Sequence, residues 1–302
     1  MSRIQEILKK AERDGSVHRT RAVVADAPLV TDRPAVHERP VMTERAHVGD
    51  RPATATATAL ADPPEVVIPA APRTTVPATI DPRLVAALAP QSLPAEQYRS
   101  LRTRVARAEN GRPLRAIIIT SPNKGDGKSL TAANLALTMA QEYNQRVLLL
   151  DADLRRPSLH RLFGISDTPG LTDVLMGGAS IDEALVTVPE HRLTILPAGI
   201  VPTQPAELLG SASMRRILDG LRTRFDRIII DMPPASPLAD VSVASGMVDG
   251  VLMIVRAGVT PKPAIERALS GLDTAKVLGL VLNDAGESTV GYAYAGYKYV
   301  AG

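Results

Sequence analysis

The stretch that most limits what this chain can fold into is Ser121-Pro-Asn-Lys-Gly-Asp-Gly-Lys128-Ser129. It lies between the apolar run Ala116-Ile-Ile-Ile-Thr120 and an alanine-rich segment. A short β-branched run, a glycine-rich turn, Lys-Ser and then a helical stretch form the layout of a phosphate-binding loop. Glycines let backbone N–H groups crowd around an anion, and the following helix adds its positive end. Lys128 can then reach the β- and γ-phosphates, and the Ser129 hydroxyl can ligate Mg2+. The loop departs from the usual GxxxxGK[ST] pattern, because Pro122 stands where the first glycine belongs.

Two further strand ends carry acids. Arg146-Val-Leu-Leu-Leu-Asp151-Ala-Asp153-Leu-Arg155-Arg156-Pro157 is an apolar strand closing on two carboxylates two residues apart. Arg227-Ile-Ile-Ile-Asp231-Met-Pro-Pro closes on one. Ligands of α/β sheets bind at the carboxyl ends of strands, where all three acids are expected. One of the paired carboxylates can accept a hydroxyl proton while the other holds Mg2+-bound water, and Asp231 has the form of an Mg2+-supporting acid. Asn283 closes the strand Val277-Leu-Gly-Leu-Val-Leu282. Its amide offers either the donor and acceptor an adenine edge needs or an ordinary strand-end turn.

The same alternation runs through the rest of the core. Strands are expected at 115–120, 146–150, 193–196, 227–231, 250–256 and 277–282. Helices are expected at 95–109, 129–142, 171–176, 181–186, 205–222, 238–246 and 262–274. Strands apolar along their whole length, alternating with helices, predict an α/β fold of the P-loop NTPase kind, a mostly parallel sheet covered on both faces.

The 302 residues divide by composition into four parts. Residues 1–14 form a short amphipathic helix with Ile4, Ile7, Leu8 and Ala11 at helical spacing, either docking on something or merely frayed. Residues 15–79 are Pro-, Ala- and Thr-rich without an aromatic residue, and read as a disordered linker spanning on the order of 45 Å. Residues 80–290 hold the P-loop domain. Residues 291–302 hold Tyr292, Tyr294, Tyr297 and Tyr299, four of the chain's six tyrosines, and therefore stand apart from the core. An edge strand with alternating aromatics would explain them, but the three-residue step from Tyr294 to Tyr297 breaks the alternation, which favours a mobile tail. From Asn283 to Tyr299 such a tail reaches about 50 Å, enough to meet a neighbouring subunit's nucleotide. On the helix before the core, Glu96, Arg99 and Arg102 step by three along one side. Glu96 can pair with Arg99, and the arginines either meet acids of another chain or form a solvated face.

Composition excludes other classes. Without cysteine there is no disulfide or Cys-based metal framework, which suits a reducing cytosol. There is no apolar run of about 18 residues and no secretory h-region at the start. A formal charge of +3 over this length gives no argument for nucleic acid as a partner.

Taken together, these residues resemble the bacterial tyrosine kinases of the exopolysaccharide and capsule type, over roughly residues 80–302. Gly125-Asp-Gly-Lys128-Ser129 is similar to their Walker A motif, Val147-Leu-Leu-Leu-Asp151-Ala-Asp153 to Walker A′, and Ile228-Ile-Ile-Asp231 to Walker B. Glu96-Gln-Tyr-Arg99-Ser-Leu-Arg102 is similar to their ExxRxxR oligomerisation helix, and the tail to their tyrosine cluster. The resemblance implies a fold related to the deviant-Walker positioning ATPases, with ATP and Mg2+ as cofactors. It implies nucleotide contacts from Lys124, Gly125, Asp126, Gly127, Lys128, Ser129, Leu130 and Asn283, with Ser129, Asp153 and Asp231 serving the metal. Asp151 would activate the tyrosine hydroxyl. The tail of one subunit would be phosphorylated by the next within a ring, each phosphate adding about 2 negative charges that loosen it. The partner implied is the cytoplasmic segment of a membrane polysaccharide co-polymerase, which would recruit a cytoplasmic kinase to the inner face of the plasma membrane. The competing class is a partitioning or positioning ATPase. Those carry a signature lysine five residues before the Walker lysine, where this chain has Asn123, and no tyrosine-rich tail.

Overall fold

In this computed structural model the described residues are 74–75, 80–109, 111–142 and 145–285. The helix expected within residues 1–14, most of the linker expected at 15–79, and all four tail tyrosines lie outside them.

The strands are β1 (Thr74–Thr75), β2 (Ala116–Thr120), β3 (Val147–Asp151), β4 (Val186–Val188), β5 (Leu193–Leu196), β6 (Arg227–Asp231), β7 (Gly250–Arg256) and β8 (Val277–Asn283). They form one sheet in the order β1-β4-β5-β3-β6-β2-β7-β8. All neighbours run parallel except β4 and β5. The helices are α1 (Val85–Leu88), α2 (Leu93–Arg107), α3 (Lys128–Ala140), α4 (Leu159–Phe163), α5 (Leu171–Leu175), α6 (Ile181–Ala184), α7 (Pro205–Leu209), α8 (Ala212–Arg224), α9 (Asp240–Ser245) and α10 (Lys262–Ser270).

Because side chains alternate across a strand, each apolar strand feeds two cores. Ile117, Ile119, Leu149, Ile195, Ile229 and Leu252 pack with Leu135, Leu137 and Met139 of α3 and with Leu101 and Val105 of α2. Ile118, Leu148, Leu150, Ile228, Ile230 and Met253 pack on the opposite side with Met214, Ile217, Leu218 and Leu221 of α8 and Leu269 of α10. The central strands are thereby buried on both faces, as their uninterrupted apolar runs require.

Several local expectations are corrected. The helix expected at 205–222 is two helices, broken at Gly210-Ser211. Ser211 caps α8 by accepting from the Met214 N–H, and a Cβ on Gly210 would stand 2.5 Å from Val243 Cγ1. The helix expected at 181–186 ends at Ala184, and Val186–Val188 instead pairs antiparallel with β5. Two β-branched residues outside the expected core, Thr74 and Thr75, pair with β4 although their surroundings read as linker. Helices α1 and α4, four and five residues long, were not expected.

Candidate active site

Strand register assembles the site. Strand β6 lies between β3 and β2, with Asp151 opposite Asp231 and Ile119 opposite Asp231 on the other side. Adjacent strands lie about 4.8 Å apart, so the ends of β3 and β6 and the loop leaving β2 converge. The loop turns back through Gly125 and Gly127, at φ +89° and +98°, left-handed values that favour glycine. Asp126, almost fully buried, braces it from inside. Its Oδ2 accepts the Asn123 N–H at 2.8 Å and its Oδ1 accepts the Thr260 hydroxyl at 2.8 Å.

Lys128 opens α3 and turns toward the acids. Its Nζ donates to Asp153 Oδ2 at 2.7 Å, to Ser129 Oγ at 3.1 Å and to Asp231 Oδ1 at 3.4 Å. Burial disfavours the ammonium charge, but Asp231, Asp153 and Asp151 outweigh it and hold Lys128 more basic than usual. Burial also lifts Asp231 above the usual carboxylate range, against the pull of Lys128. Among the described residues, the second oxygen of Asp231, Oδ2, is buried with no hydrogen-bond partner.

Asp151 is fully buried and held by backbone. Its Oδ1 accepts the Asp153 N–H at 3.2 Å, and its Oδ2 accepts those of Ser158 and Leu159, both at 3.0 Å. Burial, with the Asp231 charge second, pushes its pKa up to about 7. One ammonium thus faces three buried carboxylates, and two of them, Asp151 and Asp231, hold their protons more tightly than usual.

A family model described as an AAA domain matches residues 114–260, spanning all of these elements from β2 to the Thr260 brace. YwqD, a tyrosine-protein kinase of Bacillus subtilis strain 168, is 38% identical over 202 residues, which are 66% of this chain and 85% of YwqD. The chain belongs to the bacterial tyrosine-kinase family. The tyrosine-protein kinase ptk of Acinetobacter johnsonii is 35% identical over 199 residues, 65% of this chain but only 27% of ptk. The kinase domain of the Escherichia coli tyrosine kinase ETK superposes with a TM-score of 0.63 at 29% identity, covering 66% of this chain and 79% of that one.

Within this kinase the other expected site residues fall in distinct places. Lys124 and Gly125 are exposed at the loop tip, and Leu130 is half-buried in the first turn of α3. Asn283 lies over Gly127 with its Nδ2 donating to the Asp126 carbonyl at 3.0 Å. One of its two amide N–H groups is therefore engaged by the loop, and Oδ1 has no partner among the described residues. Glu96 pairs with Arg99, whose guanidinium also donates to the Pro90 carbonyl. Arg102 already makes two contacts within its own chain. It donates to the Thr138 carbonyl at 2.9 Å and pairs with Glu142 at 2.9 Å, because α2 packs along α3 and brings both within reach.

A divalent cation fits this donor set. Among the described residues no group of three or more acids or histidines makes a self-sufficient metal cage. Mg2+ is commonly held by one or two carboxylates together with phosphate oxygens, and Asp153 and Asp231, with the Ser129 hydroxyl, are the groups here that would hold it. The unpartnered Asp231 Oδ2 is an acceptor awaiting a donor or cation. Sequence reading missed Thr260, Ser158 and Leu159, which shape the loop and hold Asp151. Only folding brings Thr260, 134 positions away, to Asp126.

Proposed function

We propose that this tyrosine kinase transfers the γ-phosphoryl group of ATP to Tyr292, Tyr294, Tyr297 and Tyr299 of a neighbouring copy. The observation that carries the reading is the Lys128 ammonium held between Asp153 and Asp231 at the mouth of a phosphate loop. Triphosphate oxygens compete with the two carboxylates for that ammonium. As Lys128 swings to the phosphates it frees Asp153 and Asp231. With Ser129 they would hold Mg2+, which when bound neutralises phosphate charge and orients the chain for in-line transfer. The loop N–H groups and the start of α3 cradle the phosphates. Asn283 Oδ1 accepts from the base, while its amide keeps the loop against β8.

Asp151 takes the proton of the attacking hydroxyl. A pKa near 7 suits a base working near neutrality. Its oxygens face backbone N–H groups in this conformation, so the role requires the Ser158 and Leu159 contacts to loosen as the tyrosine enters. The α2 helix, with Glu96, Arg99 and Arg102, builds the homo-oligomeric ring. Each guanidinium has five donors, so its internal bonds leave some for a neighbour. The cytoplasmic segment of a membrane polysaccharide co-polymerase recruits the kinase to the inner face of the plasma membrane. Phosphorylation there regulates exopolysaccharide or capsule polymerisation and export by repelling charged tails from the ring. No helix among the described residues is long and apolar enough to cross a membrane.

The test is incubation with Mg2+ and ATP followed by mass spectrometry of the C-terminal peptide. Phosphate on the four tail tyrosines supports the reading. Phosphate confined to other positions, or absent even with the co-polymerase segment added, overturns it.

A further inference from the structure

We propose that Arg155 and Asp240 are a positioning pair that sets the spacing of Asp153 and Asp231, and through it the metal affinity of the site. The inference rests on the reading that these two acids hold Mg2+. Arg155 Nε donates to Asp240 Oδ2 at 2.7 Å and its Nη2 donates to Oδ1 at 3.2 Å, a two-pronged contact across 85 positions. Asp240 is fully buried in the first turn of α9, and Arg155 is the one side chain that meets it among the described residues. Arg155 itself keeps 39% of its side chain exposed and lies within electrostatic range of Asp153 and Glu207.

The placement of the pair separates it from an ordinary surface ion pair. Arg155 is two residues past Asp153 in the loop leaving β3. Asp240 follows the loop leaving Asp231 at the end of β6. The pair therefore joins the two segments that present the metal-holding acids.

The first loop has other anchors, among them Ala152 and Leu154, both buried in the core. Asp151 gathers the N–H groups of Asp153, Ser158 and Leu159, and the Ala152 N–H donates to the Asp231 carbonyl at 2.8 Å. The Asp153 carboxylate is fixed by the Arg156 N–H at 3.1 Å and by Lys128. When Lys128 leaves for the phosphates, Asp153 loses its strongest partner, while Leu154 stays fully buried in the core beside it. Arg155 and Asp240 add to that apolar anchor a directional polar tie to the segment that follows Asp231. A planar guanidinium gripping both carboxylate oxygens fixes direction as well as distance, which a lysine in the same place would not.

The experiment measures nucleotide binding rather than turnover. ATP affinity is titrated with Mg2+ by calorimetry for the wild type, Arg155→Lys and the double variant Arg155→Met/Asp240→Leu. The double variant removes the buried charge together with its partner, so its melting temperature is expected to stay near wild type. Removing a group bonded directly to a metal ligand costs about 10–100-fold in metal affinity, and this pair acts one contact further out, at the low end of that range. The double variant is accordingly expected to need about tenfold more Mg2+ for half-maximal tightening, with ATP affinity in EDTA within about twofold of wild type. Arg155→Lys is expected to fall between the two. A double variant that melts and responds to Mg2+ like the wild type would overturn the positioning role and leave the metal site standing. A wild type whose ATP affinity ignores Mg2+ would overturn both.

Discussion

Replacing Gly127 by alanine tests the phosphate loop where it is tightest. Gly127 sits at φ +98°, and a Cβ there would stand 2.0 Å from Asn283 Nδ2. That amide is held in place by its 3.0 Å bond to the Asp126 carbonyl. Left-handed backbone costs a residue with a Cβ about 1–2 kcal/mol. Forcing a methyl group into filled space adds about 1–3 kcal/mol. Asn283→Ala alone removes one hydrogen bond, worth about 0.5–1.5 kcal/mol. In the double variant the new methyl meets no amide, so only backbone strain and the lost bond remain, about 1.5–3.5 kcal/mol. The two substitutions together should therefore cost less than their separate effects suggest, by the ~1–3 kcal/mol of relieved overlap. Urea denaturation of the four proteins reads this directly as a coupling free energy. Strict additivity, or a Gly127→Ala protein as stable as wild type, would refute the close approach of Asn283 to the loop.

Three further outcomes are expected. The Asp182–Arg224 pair lies 3.1 Å apart with side chains 4% and 7% exposed, so Asp182→Ala strands a buried guanidinium and should cost about 3–5 kcal/mol in urea denaturation. A loss under about 1 kcal/mol would mean the pair is not buried as described. Asp151 has its pKa raised from the usual 3.8 to about 7, so between those values the folded protein binds the extra proton and stability falls as pH rises. Asp151→Asn should flatten that fall relative to wild type, bind ATP normally and yield no phosphotyrosine. An unchanged stability–pH slope contradicts the raised pKa, and retained phosphotyrosine contradicts the role as base. Tyr98 is half-buried beside α3 and made less acidic by burial, so the tail reading expects no phosphate on it. Tyr98→Phe should therefore keep the full phosphotyrosine signal on an anti-phosphotyrosine blot.

Much of this architecture was legible because its signals are local. Ile117 to Ile119, Leu148 to Leu150 and Ile228 to Ile230 each announce a strand buried on both faces, and a polar residue marks where each ends. The alternation with helices then implies parallel order. Several of the shortest elements escaped, although the equally short helices Leu171–Leu175 and Ile181–Ala184 fell inside expected ones. Leu159–Phe163 was not expected, and Val186–Val188 follows a helix closely enough to read as its last turn. Gly210-Ser211 interrupts a helical apolar pattern with a glycine stop and a serine cap, a signal that the expected single helix passed over. At the site, the residue types were readable but their partners were not. Nothing in the sequence says that Arg102 finds Glu142, that Asn283 donates its amide to the loop, or that Arg155 reaches Asp240. Each of those contacts depends on which helix packs against which, a property of the assembled sheet.

The most direct test of the central claim mixes two defective proteins. One is full-length Lys128→Met, which keeps the tail but lacks the ammonium that meets Asp153 and Asp231. The other is wild type truncated before residue 291, which keeps the ammonium but has no tail tyrosines. With Mg2+ and radiolabelled ATP, the label is expected on the Lys128→Met tail in the mixture and nowhere in either protein alone. Label on Lys128→Met incubated by itself would contradict the account, and so would an unlabelled mixture under conditions where wild type labels its own tail.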